Sequence, residues 1–563
     1  MFTKNFKIIA LIFIFFYQAP LYSKTIDKSA FNSKNLSNYF SALVAYDNNK
    51  NRKALKFFQS SKSLIKKHEP FLKNYIFSLV SEGKVFQATN ELKFHLDEES
   101  LDFFEGYFLL LLDSVQKKNF KKSKLYIKQL SKFQNKGTME LIIYETLKDY
   151  LYLFENKKVL SKEKKFGNLS LINKAFQSCY IDGGNTETYF LNLLNNDDLD
   201  YSRYLFFYIN YLLGKNENNK VKNLTNEINI LTSGLLITQT KSWVERREFN
   251  RISDIFSCQN DLDILSEFLF LVANLYSSED ELLKSNFYLN VANYLNPRFK
   301  YNLTLLVENH FSNENYELVN LFLNKFSKDE DVYYWYSIKK KASIIKKQKG
   351  KRAFYNFLNQ KFEYITNPSI KVLFDMANIS KNLEKYETAI SYYDKVLSKK
   401  NINTMSRAEI LYRKGGSYER MGNYEKADED LLKSLEINPD DSYVLNYLAY
   451  SWLERNYKID LAIEMLEEAH ANNENDPYIL DSVGWGYYLI NDFAKAEIFL
   501  NKAIQLMPND PIVNDHYADI LWKRNKIIQA TYYWQSVLSF EETEDQMKKN
   551  VTNKLLKGIE DTY

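Results

Sequence analysis

The chain has 563 residues, 45% of them apolar, and a formal net charge of +4. That length exceeds what one ordinary core can fill, and so small a net charge argues against a nucleic-acid binder by overall charge. Only 15 Gly and 8 Pro disfavour a β-rich or disordered chain and suit many helices. The mean hides an asymmetry. Residues 408–540 hold 12 basic and 22 acidic residues, net −10, residues 541–563 add −2, and residues 1–407 carry +16. A basic front and an acidic rear can steer a partner or favour head-to-tail contact; solvated helix faces are the plainer reading.

The opening MFTKNFKIIALIFIFFYQAPLYSK has two lysines, Lys4 and Lys7, ahead of an apolar run from Ile8 to Ala19, then Pro20 and the small Ser23. This predicts a secretory signal peptide over residues 1–23, too short for a comfortable membrane span, with an uncleaved anchor as the alternative. No Cys lies near the cleavage site, so a lipoprotein box is missing. The Lys-, Asn- and Ile-heavy usage resembles that of a low-GC bacterial genome. The expected location is periplasmic, or membrane-anchored where the segment is retained.

Residues 35–135 read as three weak repeats: Ala54 with Phe58, Ala88 with Leu92, and Ser123 with Ile127 are spaced 34 and 35 apart, with Gly83 and Asn119 at turns. Residues 136–265 are helical by pattern, as in MELIIYETLKDYLYLF, but hold no clean register; the loop at Asp182-Gly183-Gly184 interrupts them, so an irregular middle is expected. Cys179 and Cys258 lie there, and a disulfide and two buried thiols both remain open. Residues 266–369 carry degenerate copies through Leu269, Ala273, Tyr276, Leu289, Ala292 and Pro297, then Leu303, Leu306, Leu323 and Phe326. The unit from 334 to 369 keeps mostly Ala353 and Phe357 and has a basic face, KKKASIIKKQKGKR.

From 370 to 540 the pattern is clear. In DPYILDSVGWGYYLINDFAKAEIFLNKAIQLMPND (476–510), Leu480, Val483, Gly484 and Tyr487 share one helical face, Ala496, Leu500 and Ala503 another, and Pro508 closes the unit. The pattern recurs 34 residues on, at Pro511, Tyr517, Ala518, Leu521, Ala530, Trp534 and Val537. Residues 406–441 (Leu411, Gly415, Tyr418, Ala427, Leu431, Ser434), 442–476 (Leu445, Leu448, Ala449, Trp452, Ala462, Leu466, Ala469) and 370–401 (Leu373, Ala377, Tyr386, Ala389, Tyr393, Val396) follow the same template. This is the 34-residue tetratricopeptide (TPR) signature. The predicted fold is therefore all-α, an α-solenoid of tetratricopeptide-type helix pairs, in which each unit packs only on its neighbours. Residues 541–563, with Met547, Val551, Leu555 and Ile559 on one side, suit a C-terminal capping helix.

No phosphate-binding, dinucleotide, zinc-protease, serine-hydrolase or CxxC motif is present, and the five His are scattered. No catalytic residue, cofactor or metal is expected, and an enzyme only if the middle hides an unfamiliar site. The functional expectation falls on the helix face left free by packing. Positions 2, 5, 9 and 12 of each repeat should line a concave groove: Tyr443, Asn446, Tyr450 and Leu453; Tyr478, Asp481, Trp485 and Tyr488; Ile512, Asp515, Asp519 and Trp522; and Tyr412 and Glu419 in the unit at 408. Aromatic rings give contact area with few rotors to freeze, and Asn or carboxylates bind peptide amides or basic side chains. Packing of the same rings against the next repeat is the competing reading.

The strings DDSYVLNYLAYSW (440–452), DPYILDSVGWGYY (476–488) and NDPIVNDHYADILWKRNKIIQATYYW (509–534) resemble the C-terminal repeats of secreted bacterial TPR proteins, especially alphaproteobacterial ones. Similar repeats occur in a TPR outer-membrane lipoprotein that serves as adaptor of a carboxyl-terminal processing protease. Ala449 and Ala518 depart from the Gly usual there, and the lipobox Cys is lacking. The resemblance implies an exported scaffold or adaptor for protein or peptide partners, such as an envelope protease or assembly factor, with peripheral membrane association and no nucleic acid. The alternatives are a permanent structural subunit, its groove filled by its own tail or a sister chain, and a polysaccharide or envelope-biogenesis accessory.

Overall fold

The computed structural model describes residues 32–48, 50–96, 101–161, 164–195, 203–399 and 402–559. The signal segment expected at residues 1–23 lies outside the described residues. Among these residues the chain forms 29 α-helices and two short 3-10 turns, with no strand. No described helix is long and apolar enough to cross a membrane.

The building block is a helix hairpin closed by one recurring turn. In twelve hairpins, from Gly83 to Asn525, one turn residue sits in the left-handed region at φ between +54° and +73°. The next N–H then bonds back to the first helix, as from Asn119 to the Ser114 carbonyl, Asn423 to Tyr418 and Asp492 to Tyr487. This is the Schellman arrangement that satisfies the last carbonyls of a helix. Only Gly83 and Gly422 of the twelve are glycine; Lys118, Asp182, Asn216, Arg247, Asp280, Glu314, Glu384, Asn456, Asn491 and Asn525 adopt the same conformation. The turn geometry is therefore far more regular than its residue signal.

The chain divides into two compact units, one of residues up to Ile228 with Gly234–Tyr364, the other of Asn229–Ser233 with Ile365 onward. In the first unit the stretch 136–265, where no clean register is legible, consists of a long helix Thr138–Asn156 and further hairpins, such as Asn168–Tyr180 with Thr186–Leu194 and Tyr204–Gly214 with Asn218–Asn226. The Asp182-Gly183-Gly184 loop is the turn inside one of them. A disulfide joins Cys179 to Cys258, with their Cα atoms 5.9 Å apart. The degenerate stretch at 334–369 is mostly one helix, Asp331–Glu363, kinked at Gly350 where φ reaches +83°.

Four first helices of the early hairpins, those of Phe77, Phe108, Tyr180 and Phe206, meet a later part of the same unit, the hairpin Asp261–Ser278/Leu282–Leu295 and the turn after it. Phe77 packs on Phe287 with ring centroids 4.7 Å apart, Phe108 on Tyr288 at 5.5 Å and Phe206 on Phe299 at 5.4 Å. Tyr180 donates to Asp261 at 2.8 Å. Arg203 pairs through both guanidinium nitrogens with the buried Glu267 and lies over the Phe270 and Tyr301 rings. The surface these first helices share is thus filled by the unit's own later hairpin.

The second unit is a run of five hairpins and a terminal helix: Ile370–Asn382/Tyr386–Leu397, Thr404–Arg420/Tyr424–Ile437, Ser442–Glu454/Ile459–Asn472, Pro477–Leu489/Phe493–Leu506, Pro511–Lys523/Ile527–Ser539 and Asp545–Lys557. Each helix touches its neighbours in sequence, the pattern of a solenoid. Asp441, Asp476 and Asp510 each accept two N–H groups at the start of a first helix, and Pro477 and Pro511 take its first turn. Leu445, Leu448, Ala449, Trp452, Leu480, Val483, Tyr487, Ala496, Leu500, Ala518 and Trp534 are buried in one continuous core. Gly484 is needed for close approach: a Cβ there would sit 2.6 Å from Leu500 Cγ, and at Gly415 2.8 Å from Leu431 Cγ.

Candidate binding groove

The first helices of the second unit leave an open concavity of about 550 Å³, bounded by Glu419, Arg420, Tyr424, Asn446, Tyr447, Tyr450, Ser451, Glu454, Arg455, Tyr478, Asp481, Ser482, Asp510, Ile512 and Val513. It spans four consecutive hairpins. Among the expected groove positions it gathers Glu419, Asn446, Tyr450, Tyr478, Asp481 and Ile512.

The others lie elsewhere. Tyr412 is half-buried and meets Tyr447 edge-on at 5.8 Å. Tyr443 is 53% exposed at the start of its helix and donates to Asp476 at 3.1 Å, outside the concavity. Leu453 is core, 3% exposed, against the position of Gly486. Trp485 and Tyr488 are stacked on each other at 4.7 Å, and Trp485 also stacks on His516 at 4.1 Å.

Position counting missed Tyr447, Ser451, Glu454 and Arg455 here, and Arg420, Tyr424, Ser482, Asp510 and Val513 on the neighbouring hairpins. Side chains on a helix lean toward its N-terminus, so a given surface spot is covered by a residue about one position further on. The lining face of Ser442–Glu454 is accordingly Asn446, Tyr447, Tyr450 and Glu454, with Tyr443 and Leu453 rotated away. Tyr447 donates to Glu419 at 3.0 Å, and Trp485 Nε1 donates to Glu454 at 3.0 Å. Burial, together with the carboxylates of Glu419 and Glu454, pushes the Tyr447 and Tyr450 hydroxyls well above their ordinary range, so both stay protonated donors. Arg455, on the wall of the opening, is already paired: it donates to Asp428 at 2.7 Å and lies over the Tyr424 ring at 4.6 Å.

At the C-terminal end the inner face is covered by the chain itself. The terminal helix packs Met547, Val551 and Leu555 against the core and sets Lys554 between Asp515 and Asp519. The ammonium lies 2.8 and 2.9 Å from the Asp515 oxygens and 2.8 and 2.7 Å from those of Asp519. Asp519 also accepts from Trp534 Nε1 at 3.0 Å. Gly558 lies so close to Trp522 that a Cβ there would come within 2.3 Å of its ring. Asp515, Asp519 and Trp522, expected to line an open groove, are therefore occupied by the tail.

Between the covered end and the open concavity sits a buried charge relay. His516 Nδ1 lies 2.9 Å from Asp481. Burial alone would lower the imidazole pKa, but the charges of Asp481, Asp515 and Asp519 raise it above its ordinary value. Burial, with the neighbouring charge of Asp515, lifts the Asp519 carboxyl to about 6, opposed by Lys554. Among the described residues no group of His, Cys, Asp and Glu is arranged to hold a metal ion.

The family described as tetratricopeptide repeat matches residues 370–398 and 408–441. A TPR repeat-containing protein of Pseudomonas aeruginosa is 32% identical over 103 residues, 18% of this chain and 18% of that protein. A peptidyl-prolyl cis-trans isomerase of Saccharomyces cerevisiae is 27% identical over 123 residues, 19% of this chain and 31% of that one. The chain thus spans less than a third of the length of these curated relatives. A thermophilic TPR protein of Thermus thermophilus is similar in structure over 33% of this chain and 100% of its own, at 17% identity and a TM-score of 0.30. A tetratricopeptide repeat protein of Parabacteroides merdae covers 51% of this chain and 97% of its own, at 15% identity and a TM-score of 0.34. The chain carries tetratricopeptide repeats, at residues 370–398 and 408–441.

Proposed function

We propose that this chain is an exported scaffold or adaptor that holds a polypeptide partner in the concavity of its second unit. The observation that carries the reading is that opening of about 550 Å³, where tyrosines and hydrogen-bonding groups from four hairpins converge. Rings with an apolar body and a polar tip suit a polypeptide, whose backbone and side chains alternate in the same way. Export to the periplasm is supported by the charged, apolar and small-residue order of residues 1–23 and by the Cys179–Cys258 disulfide, a bond that persists in oxidising compartments. The likeness of residues 440–534 to repeats of secreted bacterial TPR proteins supports an envelope protease or assembly factor as the partner class.

The test uses Tyr450 and Tyr478, which line the opening, with Tyr478 59% exposed. Full-length protein should retain a defined partner from envelope extracts of its own host, and the Tyr450→Ala/Tyr478→Ala variant should lose it while keeping its denaturation midpoint. Undiminished retention by the folded variant would overturn the assignment of the surface.

A further inference from the structure

We infer that the first described hairpin, Ser33–Asp47/Asn51–Ser60, carries a docking surface for a lipid bilayer with anionic headgroups. The inference stands apart from the groove reading, since it concerns the first unit.

One face of this hairpin is apolar and bare. Phe40 is 59% exposed, Val44 61% and Phe57 36%, and the three border a shallow concavity of about 590 Å³ with Ser37, Ser41 and Lys50. Positive charge surrounds that face. Residues 33–67 hold eight basic side chains against one carboxylate, the exposed Asp47. On Asn51–Ser60, Lys53 stands one turn before Phe57 and Lys50 one turn earlier, so both share the ring's side of the helix. Lys34, Ser37, Ser41 and Val44 follow the same spacing on Ser33–Asp47. Lys34, Lys50 and Lys53 are exposed, and among the described residues no carboxylate lies within salt-bridge reach of them.

These cations do not serve the helices they begin. Neither helix has an acidic residue in its first turn, and Lys34, Lys50 and Lys53 sit at amino ends, where the helix dipole disfavours positive charge. A second concavity adjoins the first at Asn48 and Lys50, and Glu82, Glu314 and Glu317 line it beside Lys53 and Lys56. Its carboxylates are already met. Arg52 donates to Glu317 at 2.6 Å, Asn51 donates to Glu82 at 3.1 Å, and Lys347 reaches Glu314 at 3.4 Å. Lys347 belongs to the stretch 346–352, exposed throughout, with five basic residues and no acid. The surroundings of the bare rings are therefore positive on balance.

That combination selects the occupant. At an anionic bilayer, Phe and Val side chains enter the boundary of the acyl region while lysines lay their stems along it and reach the phosphates. A second copy placed face to face would set the same lysines against one another. An acidic polypeptide would answer the lysines and leave the rings bare. The apolar run Ile8–Ala19 precedes this hairpin, and a signal or anchor there brings this end of the chain to a membrane first.

The experiment uses the full-length chain carrying Phe40→Trp and vesicles of phosphatidylcholine with brominated acyl chains, with and without one-third phosphatidylglycerol. Fluorescence is read against the chain with Phe40 intact, which carries only the native tryptophans. The introduced indole should be quenched on the anionic vesicles and recover in high salt. Lys50→Glu/Lys53→Glu, which puts acids where the helix dipole favours them, should raise the lipid needed for quenching about tenfold and leave the denaturation midpoint unchanged. Equal quenching on pure phosphatidylcholine, or in the charge-reversed variant, would assign the contact to the apolar run and overturn the surface. An unquenched indole would overturn it whether or not the chain sediments with the vesicles. Retention of polyglutamate by that unquenched chain would give the face to an acidic protein, and self-association abolished by Phe40→Asp would give it to a second copy. None of these outcomes touches the groove of the second unit.

Discussion

Lys554 offers the sharpest test of how the terminal helix is held. Its side chain is 23% exposed, and the carboxylates it joins are 14% exposed at Asp515 and 5% at Asp519. Lys554→Met keeps most of the stem but leaves two carboxylates facing each other without a cation. Breaking a buried ion pair from one side costs about 3–5 kcal/mol, and partial solvation of Lys554 places this one near the lower end, about 3 kcal/mol at pH 7. That corresponds to roughly 150-fold in the opening equilibrium of the helix. The readout is amide hydrogen exchange across Asp545–Lys557, since a solenoid end opens locally before the whole unit unfolds. The loss should shrink on acidification. Asp519 already titrates near 6 in the folded chain, so at pH 5 it is mostly protonated and Lys554 has less charge to hold. A change of less than threefold at pH 7, or an effect that grows toward pH 5, would refute the account.

Three further outcomes follow from the packing and charges. Gly484→Ala gains about 1 kcal/mol of helix propensity but drives a Cβ to 2.6 Å from Leu500 Cγ and 3.1 Å from its backbone nitrogen, atoms that cannot swing aside. With overpacking at about 1–3 kcal/mol, the net is a loss of about 1 kcal/mol, read by thermal denaturation; a raised Tm would contradict the close approach. His516 has a raised pKa in the fold, so its pairing with Asp481 stabilises fully below about 6.5 and is lost as pH climbs through the folded value. Wild-type stability should therefore fall from pH 6 to pH 9, and His516→Gln should flatten that slope; equal slopes would assign it to other groups. Cys179→Ser/Cys258→Ser removes a cross-link between residues 79 apart, worth about 4 kcal/mol by loop closure. Reductant should lower the unfolding midpoint of the wild type and leave that of the variant unchanged.

The core was legible because stacking repeats the same demand every 34 residues. Gly484 must be small to admit Leu500, and Ala496, Leu500 and Ala503 must face inward, so these positions carry a strong local signal. The inner face was legible only to within a rotation. Counting positions finds Asn446 and Tyr450 but misses Tyr447 and Glu454, because the lean of helical side chains shifts coverage by about one residue. Long-range closures left no trace in local pattern. Nothing near Phe77 announces Phe287, and nothing near Asp519 announces Lys554. The regularity of residues 136–265 was hidden for another reason: their turns use Asp182, Asn216 and Arg247 in a conformation that glycine usually marks.

The two units show why composition of the inner face decides its fate. In the first unit these positions are rings, Phe77, Phe108, Tyr150 and Phe206, and they are covered by Phe287, Tyr288, Phe268 and Phe299 from the unit's own later helices. Burying such surface releases about 25 cal/mol for each Å² removed from water, so self-filling is favourable. In the second unit the equivalent surface carries Glu419, Asn446, Glu454 and Ser482 among its tyrosines. An apolar segment laid permanently there would strand charged and amide groups, at a cost of several kcal/mol for each charge left unpaired. In the second unit, the described residues that cover acidic inner positions bring a cation with them: Lys554 meets Asp515 and Asp519. The open stretch therefore selects against the chain's own apolar residues and stays available to a partner that supplies matching donors.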